Sequence, residues 1–276
     1  MDSAAARHSD YALGHSEQEL ERLSHQGQVF APFTRQLFEQ AGMRPGMRVL
    51  DVGSGAGDVA FLAAELVGPS GEVVGADREP AAVEWATARA HARDVTSVKF
   101  LVSDPAEMEF DGKFDAVVGR LVLMYYPDPV AALEKLVRHL QPGGLVIFQE
   151  FEMENMRSLP PAPTVDRAAR WMKQTLSASG ARTQIGLELY QLFLAAGLPG
   201  PQLRMDALVG DSAGFPYEIL AGVIQSLLPV MEKLKIGTAA EVDVSTLAQR
   251  MRDEVAASNG VVIAPALIGA WSRKTV

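Results

Sequence analysis

The chain has 276 residues, 48% of them hydrophobic and 21% charged, the balance of a globular protein long enough for one large domain with a cap or for two small ones. Its formal net charge of −9, with no long Lys/Arg run, argues against a nucleic-acid partner. The lack of cysteine excludes disulfides, thiolate catalysis, cysteine-ligated zinc and iron–sulfur clusters, and the five histidines show no metal-ligand spacing.

Residues 1–10 are small and polar, with no charged segment leading into an apolar core, so no signal peptide is expected. No apolar run approaches the ~20 residues of a membrane span, and the expected location is the cytoplasm. Ser16 and Glu19 form a capping box, which predicts a helix from about residue 17 carrying Leu20 and Leu23 and broken by Gly27 after Gln26. A second helix is expected through Val29, Phe33, Leu37 and Phe38, stopping at Gly42. These first 42 residues serve either as packing cover or as a lid over a ligand.

The stretch Val49–Asp58 comes next. An apolar strand passes through Gly53, Gly55 and Gly57 and opens into a helix with Val59, Leu62, Ala63 and Leu66 on one face. Glycines at such a turn let the backbone bend sharply and approach a ligand, with the free N–H groups of the helix start facing it. Asp77 closes the next apolar run, 20 residues beyond Gly57, where an acid can accept hydrogen bonds from ribose hydroxyls. The plainer alternative is a tight turn and a surface aspartate.

Strands are expected near 48–52, 72–76, 98–102, 115–119 and 145–149, and helices near 58–66, 80–92 and 129–140. Pro80 and Pro129 suit first-turn positions, Asp128 suits an N-cap, and Gln141–Gly144 suits a helix stop. This alternation predicts a parallel doubly wound α/β sheet whose ligands sit at the strands' carboxyl ends. Asp77, Asp104, Arg120 and Glu150 all fall there. Asp104 is either a turn former or an oriented acceptor, and Arg120 either a structural ion pair or a ligand contact. Beyond 150, helices are expected within 160–197, 216–235 and 243–258, and strands at about 201–209 and 260–271.

The Gly-x-Gly-x-Gly turn, with Asp51 two residues ahead of it, resembles motif I of class I S-adenosylmethionine-dependent methyltransferases. Phe114–Pro129 resembles their motif IV and its extension. Tyr11, Leu13, Gly14, Ser16 and Glu19, then Arg22 and Leu23, look like the N-terminal helix of bacterial small-molecule methyltransferases. The resemblance implies a Rossmann-like seven-stranded sheet of order 3-2-1-4-5-7-6 with strand 7 antiparallel. It also implies a lid at 1–42, a core at 43–150, a helical cap at 151–200, and closing strands at 201–276 with an insertion at about 214–258.

By that resemblance S-adenosylmethionine is the cofactor. Gly53, Ser54 and Gly55 belong to its methionine end, Asp77 to its ribose and Asp104 to its adenine, with Asp51, Arg78, Pro105, Arg120, Leu121, Tyr11 and Gln26 completing the set. The motif often carries histidine where Met124 or Tyr125 stands, so an imidazole base is missing from this loop. Candidates for a base are Tyr125, Tyr126, His25 and Glu150, needed only if the acceptor must lose a proton. Met124, Tyr125, Phe151, Met153, Trp171 and Tyr217 are expected to line the substrate pocket, although ordinary core packing explains such residues as well. The expected reaction is methyl transfer to a small, largely apolar or aromatic metabolite, with the C, N or O target open. No metal, nucleic acid or membrane is expected to take part, and a homodimer stays open. An NAD-dependent oxidoreductase and a non-catalytic S-adenosylmethionine-binding regulator are the alternatives.

Overall fold

The computed structural model describes residues 13–14 and 17–275. Helix α1 (Glu17–Ala41) runs unbroken for 25 residues, where two helices parted at Gly27 were expected. A Cβ on Gly27 would lie 2.5 Å from Asp58 Cγ. The glycine therefore serves the close crossing of α1 over the next helix and does not end α1. Ser16, half of the expected capping box, lies outside the described residues.

The elements β1 (Arg48–Val52), α2 (Asp58–Val67), β2 (Glu72–Asp77), α3 (Pro80–Ala92), β3 (Val98–Val102) and β4 (Phe114–Arg120) fall where the periodicity places them. Then come α4 (Pro129–Val137) and β5 (Leu140–Glu152). Asp128 Oδ1 accepts from Ala131 N at 3.0 Å and caps α4. α4 is shorter than expected and β5 longer. Leu140 pairs with Phe114 and Leu145 with Ala116, so Gln141–Gly144 is absorbed as an irregularity within the strand.

The rest of the chain forms β6 (Arg157–Leu159), α5 (Pro163–Ala178), α6 (Ile185–Ala195), β7 (Gln202–Asp206), β8 (Val209–Gly210), α7 (Tyr217–Lys233), α8 (Ala239–Val242), α9 (Val244–Ala257), β9 (Val261–Ile263) and β10 (Ala266–Arg273). Each of the two expected closing strands is split. β9 and β10 part at Ala264 and Pro265, where proline has no N–H for a ladder. β6, β9 and β8 pair antiparallel into a small second sheet that hydrophobic patterning did not reveal.

The main sheet has the order β3-β2-β1-β4-β5-β10-β7, with β1 to β5 parallel and β10 antiparallel to both neighbours. Counting only its own strands, this is the expected 3-2-1-4-5-7-6. Alternation along each strand separates two apolar layers. Val49 and Ile147 pack with Leu37 and Phe38 of α1 and Phe61 of α2. Leu50 and Phe148 pack with Leu133 of α4 and Phe193 of α6, in a cluster that continues through Trp171, Ile224 and Met251 of α5, α7 and α9.

Candidate active site

The turn after β1 is built around three glycines with left-handed backbones. Gly53 N and Ser54 N donate to Ala76 O at 2.8 and 3.1 Å, which pins the turn to β2. A Cβ on Gly53 would lie 2.5 Å from Val122 Cγ2, so that position must stay bare for the protein's own packing. Gly55 differs: its φ is +50°, and a Cβ there would meet nothing within 4 Å. The middle glycine thus presents open space, which is what close approach of a ligand requires.

Asp77, the last residue of β2, accepts from Gly55 N through Oδ2 at 2.8 Å and from Glu79 N through Oδ1 at 3.0 Å. A carboxylate offers about four lone-pair directions, so both oxygens keep capacity for hydroxyl donors. Ser54 Oγ is buried and without a hydrogen-bond partner among the described residues. A bare glycine, a held carboxylate and an orphaned hydroxyl fit the polar end of a nucleoside cofactor.

Asp104 Oδ1 accepts from Ala106 N and from the Tyr126 hydroxyl, each at 3.0 Å. Asp104 thus forms the turn and anchors a tyrosine, and unlike Pro105 it does not line the cavity described below. Burial, with the Asp104 charge and hydrogen bond, lifts the Tyr126 phenol far above its ordinary range. Tyr126 is therefore a poor base. The Arg78 guanidinium lies 5.7 Å from its ring centroid.

Arg120 ends β4 and reaches α1: its Nη1 donates to Thr34 Oγ1 at 3.0 Å, and Thr34 Oγ1 donates to Gln149 Oε1 at 2.8 Å. Burial lowers the basicity of Arg120, while Asp58 and Asp51 favour its charge. Asp51 is only 1% exposed and lines no part of the cavity described below, so it is not placed to touch a ligand. Burial raises its carboxyl to about 8, with Arg120 opposing.

Glu150 is fully buried and likewise lines no part of the cavity, against its expected role as a base. Its Oε1 accepts from Val122 N at 2.9 Å and Leu123 N at 2.8 Å. The residue just before these, Leu121, has φ +57°, a strained conformation for a side chain with a Cβ.

These elements enclose a cavity of about 450 Å³. On its sheet side lie Gly53, Ser54, Gly55, Asp77, Arg78, Pro105, Arg120 and Leu121, all anticipated, together with Asp58, which was not. Asp58 is held by Arg89 Nη2 at 2.8 Å, and its signal was its place as the first residue of α2. Gln26 and Phe30 of α1 close one flank. Met124, Tyr125, Tyr126, Phe151 and Met153 line it as well, joined from the cap by Met156, Met172, Phe215 and Ile219.

Besides Asp51, Asp104 and Glu150, three anticipated residues are elsewhere. His25 is exposed and off the cavity. Trp171 and Tyr217 are buried in the cap core, where the Tyr217 hydroxyl donates to Asp211 O at 3.1 Å. An aromatic at helical spacing does not tell core from pocket, which explains both errors. Tyr11 lies outside the described residues. Among the described residues no helix is long and apolar enough to cross a membrane, and no three His, Asp or Glu gather as a metal site.

A family model for a methyltransferase domain matches residues 43–197. Nocamycin O-methyltransferase of Saccharothrix syringae is 38% identical over 120 residues, which cover 43% of this chain and 43% of that enzyme, less than half its length. Aklanonic acid methyltransferase of Streptomyces sp. strain C5 is 32% identical over 164 residues, covering 58% of this chain and 74% of that enzyme. A candidate methyltransferase of Bacillus halodurans has the same fold, with a TM-score of 0.60 at 18% identity over 88% of this chain and 99% of that one. The chain belongs to the class I S-adenosylmethionine-dependent methyltransferases. That membership overturns the oxidoreductase reading and supports enzyme status.

Proposed function

We propose that the enzyme methylates a small, largely apolar or aromatic metabolite bound in the same cavity as its cofactor. One observation carries this reading: a single space has glycine N–H groups, Asp77 and Ser54 on its sheet side and methionine, phenylalanine and isoleucine side chains toward the cap. Two relatives are named as methyltransferases of nocamycin and of aklanonic acid, which agrees with a small-molecule acceptor. S-adenosylmethionine brings an already activated methyl group when bound.

The chain's own residues then supply placement. Gly55 leaves room for close approach, Asp77 accepts from the ribose hydroxyls, and Ser54 and Arg78 flank it. Pro105 and Leu121 form the walls, and α1 closes over the top through Gln26 and Phe30. Alignment of two reactants in one site lowers a barrier by several kcal/mol without acid–base help. The apolar side chains of the cap keep water from the reacting atoms. Of the four candidate bases, Tyr125 alone both lines the cavity and escapes the corrections above.

Calorimetric titration with S-adenosylhomocysteine tests the cofactor half. Wild type is expected to bind, and Asp77→Ala is expected to lose about 1.5–3 kcal/mol, the scale of hydrogen bonds to a charged group. Mass spectrometry of a panel of aromatic acids, phenols and quinone precursors incubated with S-adenosylmethionine tests the acceptor half. Equal affinity in the two proteins rejects the ribose assignment, and methylation only of polar aliphatic amines rejects the acceptor class.

A further inference from the structure

Glu150 sits near the carboxyl end of β5 with none of its surface exposed. A buried carboxylate is costly unless it is hydrogen-bonded. Here one oxygen takes the backbone N–H groups of Val122 and Leu123, with Met124 N–H adding to the same field, and Oε2 has no partner among the described residues. All the donors belong to one short stretch, the exit of β4.

That stretch bears on both sides of the cavity. Leu121 holds its left-handed backbone there, and Leu121 N donates to Gln149 O at 2.8 Å. Val122 places Cγ2 against Gly53 so closely that no Cβ fits. Met124 and Tyr125 line the cavity, and Met124 O accepts from Arg182 N at 3.0 Å. A left-handed leucine persists only where its surroundings over-determine it, and Glu150 Oε1 supplies the acceptor for the two N–H groups that follow it.

We propose that Glu150 is a positioning residue: its carboxylate holds the Leu121–Leu123 turn, and through Val122 and Met124 it sets the spacing between the glycine turn and the acceptor wall. This rests on the reading of the cavity as a shared cofactor and acceptor site. A purely space-filling role for Glu150 would depend on its volume, whereas the positioning role depends on an acceptor oxygen.

Two variants separate these roles. Glu150→Gln keeps an acceptor oxygen at nearly the same volume. Glu150→Leu keeps volume and removes every acceptor. Amide exchange and S-adenosylhomocysteine titration are read on both. In Glu150→Leu the Val122 and Leu123 amides are expected to exchange at least about tenfold faster, while Leu50 and Val117 keep their protection. Its dissociation constant is expected to rise about tenfold or more, with kcat/KM falling alongside. Glu150→Gln is expected to stay within about threefold of wild type on both measures.

A folded Glu150→Leu with wild-type exchange at Val122 and Leu123, or with wild-type affinity, overturns the proposal. So does a loss in Glu150→Gln as large as in Glu150→Leu. If Glu150→Leu does not fold, Glu150→Asp withdraws the oxygen by one methylene and is held to the same two readouts. Failure of wild type to bind S-adenosylhomocysteine would sink the functional reading instead, and the exchange rates would then decide the clamp alone.

Discussion

Asp51 and Asp77 lie on adjacent parallel strands and meet different fates. Asp77 is the last residue of β2, partly exposed, and accepts two backbone N–H groups. Asp51 is one residue short of the end of β1 and is covered. Burial raises its carboxyl from 3.8 to about 8, with Arg120 opposing and Asp77 and Asp58 reinforcing. Glu150, raised from 4.5 to about 7 by burial against the pull of three N–H groups, has the same sign. A carboxyl whose folded pKa lies above its unfolded value binds its proton more tightly in the folded protein. Its contribution to stability is full below the unfolded pKa and is lost as pH rises toward the folded one. These two groups should therefore cost stability as pH rises, Asp51 from about pH 4 to about pH 8 and Glu150 from about 4.5 to about 7, by at most about 1.4 kcal/mol per pH unit for each. Asp51→Asn should flatten the slope of melting temperature against pH, and an unchanged slope would reject a neutral buried carboxyl. Gly55→Val should fold and bind no S-adenosylhomocysteine, because it forces a β-branched residue to φ +50° and fills the open side. Normal binding by a folded variant would show that the turn only shapes the chain. The glycine turn, Asp77 and Arg120 were legible because turn chemistry and the ends of apolar runs are local signals. That Asp51 and Glu150 fall behind the wall was not, since one or two residues of depth along a strand separate a side chain that opens into the cavity from one that is sealed.

Among the elements, α1 joins parts that the sequence pattern kept separate. Thr34 ties it to Arg120 and Gln149 of the sheet. At its other end Glu19 receives the Ser226 hydroxyl of α7 at 2.6 Å while holding Arg22 in a two-point ion pair. Its midpoint rests on Asp58 at Gly27. Gly27→Val would drive a branched side chain into Asp58, and overpacking of that kind costs about 1–3 kcal/mol. A lower melting temperature is expected together with weaker cofactor binding, as α1 is pushed off the start of α2. A variant as stable as wild type would mean that the contact yields. Removal of residues 1–26 leaves the Thr34 anchor and the buried Leu37 and Phe38 in place but takes away Arg22, Leu23 and Gln26 of the cavity wall. The fold should survive and S-adenosylhomocysteine affinity should fall. Normal affinity with a lowered melting temperature would reduce that end to cover. Glycine at 27 reads as a stop because flexibility is its usual local meaning, and the long-range contact that gives it another meaning leaves no trace in the neighbouring residues. The small β6-β9-β8 sheet was hidden for a related reason: its strands have three, three and two residues, too short for an alternation to register.

At the scale of the molecule, core and cap share one apolar cluster. Leu50 of β1, Phe148 of β5, Met172 of α5, Ile224 of α7 and Met251 of α9 belong to it together. The sheet is completed only by β10, which supplies the partner for β5 on one side and β7 on the other. Thermal unfolding should accordingly be a single transition, with calorimetric and van't Hoff enthalpies in agreement. The stretch 43–197 expressed alone should fail to give dispersed amide resonances, since it lacks β7, β10 and α7. Two separate transitions, or a folded fragment, would show that the cap is an independent body. The cap also brings its own material to the cavity. Met153, Met156 and Met172 line it together with Met124, and an unbranched thioether turns about three bonds and fits itself to irregular neighbours. A chamber walled in this way sets no fixed outline for its guest. Exchange of a few soft side chains would re-aim it at another acceptor, while the rigid glycine turn and the aspartate beside it would stay as they are.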